Sequence, residues 1–142
     1  MQINKVLIYD KIDVIERNLS FLNQYKEKSE AEFLNSYKDI QAIKYSLFEI
    51  IEACIDIASH IISIRAFQRA ESYAEMFEIL GKNAIIGTKL SINLSNMARF
   101  RNILVHGYAK IDNSKVLSFA KDELKDVEDF IKKILELIKN QN

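Results

Sequence analysis

The chain has no proline, only three glycines and a single cysteine among its 142 residues. So few turn-formers argue against a hairpin-rich β architecture, and the abundance of Leu, Ile, Ala, Glu and Lys favours helix. The lone Cys54 excludes an intrachain disulfide and suits a reducing cytoplasm. It falls on an apolar stripe, so it reads as a small core residue and not as a nucleophile. Net charge is also missing, with 20 Lys and Arg against 20 Asp and Glu. The broad basic surface of a general nucleic-acid binder is therefore not advertised. No basic segment followed by an apolar run marks a secretion signal. No apolar stretch approaches the roughly 18 to 20 residues of a membrane span, so a cytoplasmic protein without a membrane partner is expected.

Apolar residues recur at spacings of three and four along four long segments, which is helix periodicity. Ile8, Ile12, Ile15, Leu19 and Leu22 mark a first helix over about residues 3–26. Ser29 and Glu32 form a candidate capping box for a short turn of helix. Ile40, Ile43, Leu47, Ile50, Cys54, Ile57, Ile61 and Ile64 form one row, with Ile51, Ile55, Ala58 and Ile62 beside it. A helix apolar over so wide an arc belongs at the centre. Ser72 and Glu75 open a short helix ending near Gly81, and another runs from about Ile85 to His106, with Gly107 placed to stop it. Asp112 caps a last helix that carries Leu117, Ala120, Leu124, Val127, Ile131, Ile134 and Ile138. No hairpin signal, internal repeat or low-complexity linker interrupts this pattern. The expectation is an all-α, up-and-down bundle of four to five main helices with a short extra helix, forming a single domain over residues 1–142.

Chemistry concentrates in Arg101-Asn102-Ile103-Leu104-Val105-His106-Gly107-Tyr108. Arginine offers a permanently charged fork that suits phosphate. Histidine is the side chain best suited to moving protons near pH 7, and this is one of only two in the chain. The plain alternative is a helix C-terminus whose dipole favours basic residues. On a straight helix Leu90, Leu94, Met97 and Leu104 form one stripe, and Arg101 falls inside it. An arginine buried there without a partner would be costly, so an acid meets it, or the stripe opens into a cleft or a subunit interface. Arg101 and His106 point about 140° apart on one ideal helix. They converge only through the long arginine side chain, fraying at Gly107, or a second copy of the chain.

The central segment supplies acids. Glu49, Glu52, Asp56, Ser59, His60 and Ser63 lie on its polar side, and Glu52, Asp56 and His60 stack at four-residue intervals. Most of this set reads as a solvated face; His60 is either a second polar group at a cleft or a surface histidine without a role, and the latter is the preferred reading. Two histidines and scattered acids make no zinc or di-iron pattern. The isolated Gly81, Gly87 and Gly107 make no phosphate loop, and no nucleophile elbow is present. No metal or cofactor is expected.

The segment Met97-Ala98-Arg99-Phe100-Arg101-Asn102-Ile103-Leu104-Val105-His106-Gly107-Tyr108 closely resembles the signature of HEPN ribonucleases, and its form resembles the HepT toxin branch. Glu52-Ala53-Cys54-Ile55-Asp56-Ile57-Ala58-Ser59-His60 resembles that branch's central helix. Tyr73-Ala74-Glu75-Met76-Phe77-Glu78-Ile79-Leu80 resembles the short piece before its motif helix. The resemblance spans about residues 35–115; the flanking helices match only generically. It implies a HEPN-like fold and a metal-independent endoribonuclease, the toxin of a type VII-like toxin–antitoxin system, acting on RNA such as tRNA or mRNA. It implies Arg101, His106 and Asn102 as catalytic residues, Asp56 as a bracing acid, and internal transesterification leaving a cyclic phosphate. It also implies a homodimer whose motifs face a shared cleft. The implied antitoxin is a minimal nucleotidyltransferase that silences the toxin by attaching AMP to Tyr108, whose added charge and bulk would block RNA. Net neutrality requires the positive potential to be local, or the RNA to be held weakly and briefly. It slightly favours a rival reading, a non-catalytic module that pairs with a nucleotidyltransferase and binds nucleotide or phosphate. A purely structural helical adaptor is a third reading.

Overall fold

Seven α-helices and one turn of 3-10 helix follow one another in a computed structural model that describes residues 2–107 and 111–141, and no strand occurs among them. Helix α1 covers Lys5–Leu22 and continues into the 3-10 turn Asn23–Tyr25; α2 covers Glu30–Leu34, α3 Tyr37–Ile64, α4 Tyr73–Lys82, α5 Thr88–His106, α6 Asn113–Asp122 and α7 Leu124–Lys139. The all-helical expectation holds, with α1, α3, α5 and α7 as the four long members. None of these helices is long and apolar enough to cross a membrane.

Side-chain caps start the helices where the sequence announces them. Ser29 Oγ accepts the Glu32 amide at 3.2 Å, the N-cap half of the expected capping box, and its hydroxyl donates to Glu32 Oε1 at 3.1 Å. Ser72 Oγ accepts the Glu75 amide at 3.1 Å, and Glu75 Oε1 accepts the Glu71 amide at 3.0 Å. Asp112 Oδ1 accepts the Ser114 amide at 2.9 Å. The helix ends are less conventional, as expected in a chain short of glycine. At the end of α3 the Phe67 amide donates to the Ile62 carbonyl at 3.1 Å and the Ala66 amide to Ser63 at 3.2 Å. Ala84 closes α4 in the same way, with Ile85 donating to Leu80 at 3.0 Å. Both are six-to-one terminations that usually place glycine at the turning residue. Here Ala66 and Ala84 hold φ of 54° and 56°. An alanine in that left-handed region carries a steric cost of about 1 kcal/mol.

Helix α3 runs through the middle of the molecule and packs against α1, α4, α5 and α6. Ile43, Leu47, Ile50, Ile51, Cys54, Ile57, Ala58 and Ile61 are completely buried along it. Cys54 lies inside this core, where burial pushes its thiol well above the ordinary value, so it has no thiolate to offer. Helices α4 and α5 form a close hairpin. A Cβ on Gly81 would stand 2.4 Å from Ser91 Oγ, so only glycine allows this approach. Ser91 Oγ donates to the Phe77 carbonyl at 2.8 Å, and Ser95 Oγ to the Ala74 carbonyl at 3.1 Å. These two hydroxyls tie α5 directly to the α4 backbone, setting the height and rotation of α5.

The single last helix expected from periodicity is two helices in the structure, broken at Glu123 (φ −105°, ψ −5°). The apolar spacing passes through this break, and neither glycine nor proline marks it. The reason is tertiary: α6 packs on α2 and α3, whereas α7 packs on α5 and α1. One straight rod could not reach both surfaces. Phe119 stacks on Phe100 of α5 with ring centroids 4.7 Å apart, fixing the α6 side of the bend.

Candidate active site

The site grows from the second half of α5. The first half is buried through Ser91, Leu94, Ser95, Met97 and Ala98, but no residue of α5 beyond Ala98 is fully buried. Arg101 continues the buried stripe and is the first charged residue on it. Its Nε donates to Glu52 Oε1 at 2.6 Å, with 15% and 31% of the two side chains exposed. Glu52 is thus the acid that the stripe demanded. A charge-assisted bond this short holds the guanidinium plane in place. It uses only Nε, so the terminal nitrogens remain on the outer side of the pair.

Two aromatic rings complete the cradle. The Arg101 Cζ lies 5.6 Å from the centroid of Phe48 on α3 and 5.1 Å from that of Tyr73 at the start of α4. Both distances suit a cation over a ring face. Glu52 follows Phe48 by four residues, so one face of α3 supplies both the acid and one ring. Three helices therefore converge on one guanidinium.

Asn102 is exposed, and its Oδ1 accepts a long bond from Arg101 Nη1 at 3.4 Å. His106 is exposed at the last position of α5. The helix is continuous from Arg101 to His106, so the angular separation expected from one helix stands within one chain. The helix stops where the sequence places the stop, but Gly107 has φ −73° and ψ −24°, not a left-handed turn. Glycine is needed there for closeness: its amide donates to the Ile103 carbonyl at 2.8 Å, and a Cβ would stand 2.3 Å from that same oxygen. Tyr108, the expected modification site, lies outside the described residues.

The acid chosen from the sequence as the brace is not the one that meets Arg101. Asp56 instead pairs with Lys11 of α1 at 2.9 Å, with 46% of its side chain exposed. The cause is rise along the helix: Asp56 stands one turn, about 6 Å, beyond Glu52 and faces α1 rather than α5. His60 is not idle either. Its Nε2 accepts the Asn4 amide at 3.0 Å, holding the residue that caps α1. Neither joins Arg101. Glu52 stood among the polar residues of α3, but nothing in its spacing ranked it above Asp56. Phe48 carried no signal beyond being aromatic, and Tyr73 entered only as part of the Tyr73–Leu80 segment and not as a site residue, because their partner lies far along the chain. Among the described residues, no three His, Cys, Asp or Glu side chains gather as a metal site.

The arrangement can hold one oxyanion against fixed Arg101 nitrogens, with an exposed imidazole at the end of the same helix. Comparison with known proteins gives this geometry a context. A family model described as ribonuclease HepT-like matches residues 15–134. The chain is 33% identical over 126 residues to the mRNA nuclease HepT of Shewanella oneidensis, covering 88% of this chain and 93% of that protein. It is also 33% identical over 122 residues to the tRNA nuclease HepT of Aphanizomenon flos-aquae, covering 83% and 82% respectively. Its fold matches a tri-AMPylated Shewanella oneidensis HEPN toxin, solved in complex with its MNT antitoxin. That match has a TM-score of 0.84 and 31% identity, over 92% of this chain and 97% of the toxin. By the length matched and the identity it keeps, this all-helical chain belongs to the ribonuclease HepT-like family.

Proposed function

We infer that the chain is the toxin of a toxin–antitoxin pair and cleaves RNA without a metal. The carrying observation is the half-buried Arg101, held by Glu52 between two rings, with the exposed His106 at the end of the same helix. Arg101 binds the scissile phosphate and stabilises the charge that builds on it in the transition state. His106 serves as general base toward the ribose 2′-hydroxyl or as general acid toward the leaving 5′-oxygen. The 2′-oxygen attacks phosphorus, the bond from phosphorus to the 5′-oxygen breaks, and a cyclic phosphate and a 5′-hydroxyl result. Asn102 orients the phosphate beside Arg101. Glu52 positions Arg101, the role first expected of Asp56.

One helix holds Arg101 and His106 on different faces, so two copies of the chain facing a common cleft would combine the arginine of one with the histidine of the other. A homodimer also doubles the local positive charge in a chain whose net charge is zero. The partner that restrains this activity is a nucleotidyltransferase antitoxin, and Tyr108 is the residue that takes AMP. The pair works in the cytoplasm, on tRNA or mRNA.

The test is RNA cleavage by the purified chain. His106→Ala should lower the rate about 100- to 10,000-fold while leaving the helical content intact. Chelator should change nothing. Light scattering should report about twice the 16.5 kDa of one chain. Co-expression with a minimal nucleotidyltransferase antitoxin should add AMP mass that Tyr108→Phe removes. Cleavage that survives His106→Ala, or that stops with chelator, would refute the mechanism. The zero net charge favours one rival, a nucleotide-binding module without catalysis. An AMP adduct on a chain that never cleaves RNA would decide for it.

A further inference from the structure

Beside Arg101 lies an open hollow of about 350 Å³ lined by Ala70, Glu71, Ser72, Tyr73, Met76 and Asn102. Two of its walls also touch the guanidinium. Tyr73 lies against Arg101 Cζ at 5.1 Å, and Asn102 accepts from Arg101 Nη1 at 3.4 Å. The hollow therefore begins where the phosphate-binding group ends. Its chemistry differs from that of the arginine. Tyr73 offers an aromatic ring and remains 38% exposed. Met76, three residues on along α4, adds a polarisable thioether to the same wall. Asn102 contributes an amide, and Glu71 brings a carboxylate to the rim.

This is the wrong chemistry for a second phosphate. The start of α4 would ordinarily attract an anion. Here its capping box is closed: Ser72 Oγ takes the Glu75 amide at 3.1 Å and Glu75 Oε1 takes the Glu71 amide at 3.0 Å. The Glu75 carboxylate already occupies the Glu71 amide, and Glu71 itself puts a negative charge among the lining residues. A flat, neutral group with N–H donors suits the same walls. Its face stacks on Tyr73 and Met76, and its edge donates to Glu71.

We propose that this hollow seats a nucleobase bearing an exocyclic amino group, next to the phosphate held by Arg101. Tyr73 is the stacking residue, and Glu71 accepts from the amino group. Adenine and cytosine present such a donor, whereas uracil presents a carbonyl in its place. A carbonyl oxygen facing Glu71 is repelled. The assignment rests on the ribonuclease reading and names a specificity subsite within it.

Binding can be measured apart from cleavage, with His106→Ala as the background chain. Short single-stranded oligo(A), oligo(C) and oligo(U) are titrated at one fixed salt concentration, with fluorescence anisotropy as the readout. Oligo(A) and oligo(C) should bind about tenfold tighter than oligo(U), the scale of one good edge contact. Tyr73→Ala should weaken oligo(A) and oligo(C) about tenfold, the scale of one lost base stack, and Tyr73→Phe should not. Glu71→Ala should bring the three affinities together without abolishing binding. With His106 intact, the cut pattern should shift in Glu71→Ala toward sites that carry uracil. The subsite is overturned if Tyr73→Ala leaves the affinities unchanged. It is equally overturned if the three oligonucleotides bind alike, or if Tyr73→Ala disrupts only the dimer. Base-dependent binding without cleavage by the unmodified chain would keep the subsite and sink the ribonuclease reading. Cleavage whose pattern ignores both substitutions would do the reverse.

Discussion

The two halves of α5 have the same backbone and opposite uses. From Ser91 to Ala98 the helix is sunk between α4 and the core, with serine hydroxyls bonded to neighbouring carbonyls and Leu94 wholly buried. From Arg99 to His106 it emerges, and Arg101 continues the buried stripe between Met97 and the partly buried Leu104. The first half gains stability by excluding water. The second presents polar groups at fixed positions, which is possible only because the first half cannot move. The lesson is that the motif is a rigid extension of a packed rod, and the preorganisation of its arginine is borrowed from the α4–α5 hairpin.

Substitutions in each half should separate these uses. The largest stability effect belongs to Leu94→Ala, which removes a fully buried side chain and should cost about 2–5 kcal/mol. Asn102→Ala, eight residues along, should stay within about 0.5 kcal/mol of the parent. Chemical denaturation of both variants checks this, and equal losses would erase the contrast. Next is Glu52→Ala, which leaves Arg101 half-buried without its acid. Because both groups are partly exposed, the stability loss should be about 1–2 kcal/mol, below that of a broken buried pair. Cleavage should fall further than stability predicts, and Glu52→Gln, which keeps an acceptor, should recover part of it. Asp56→Ala, which breaks only the Lys11 surface pair, should change stability by less than about 1 kcal/mol and leave the rate unaltered.

A second ion pair sharpens the contrast, because it has a structural setting and no motif. Lys28 Nζ donates to Asp39 Oδ2, and Tyr25 donates to Asp39 Oδ1 at 3.1 Å, at the join of the 3-10 turn to α3. The bond from Lys28 holds the Asp39 carboxyl below its ordinary 3.8, and the same bond holds the Lys28 ammonium above its ordinary 10.5. A depressed acid stabilises the fold above its unfolded value and loses that contribution as pH falls through its folded value. A raised lysine does the opposite, losing its contribution as pH climbs past 10.5. Stability measured against pH should therefore decline at both extremes, and Asp39→Asn should flatten both limbs. A profile unchanged by that substitution would show the pair to be idle. One substitution should stabilise the fold, just past the end of α3. Ala66→Gly relieves a φ of 54°, and it should stabilise by no more than about 1 kcal/mol, since glycine also loosens the unfolded chain. A loss of stability there would mean that the alanine methyl packs usefully.

Much of the frame was legible because helix periodicity and capping are local. The Ser29, Ser72 and Asp112 caps, the burial of α3 and the end of α5 at His106 all depend on residues within one turn of each other. The break at Glu123 was not legible, because a helix bends there to satisfy two surfaces far away in sequence. The same limit applied at the site. The stripe containing Arg101 required some acid, but Glu52 and Asp56 share a face of α3 and differ only by one turn of rise. Which of them reaches Arg101 depends on how α5 is set against α3, and Gly81, Ser91 and Ser95 decide that through contacts with α4.

The sequence by itself determined the helical class, the central place of α3, and the arginine and histidine at the end of α5. Each follows from side-chain chemistry and a repeat of 3.6 residues, which no partner can alter. Only the tertiary structure decided that Glu52, Phe48 and Tyr73 close around one guanidinium. It also decided that a hollow opens beside that guanidinium and that the last helix is two. Those outcomes depend on the distance and rotation between packed helices, a property that no single helix possesses.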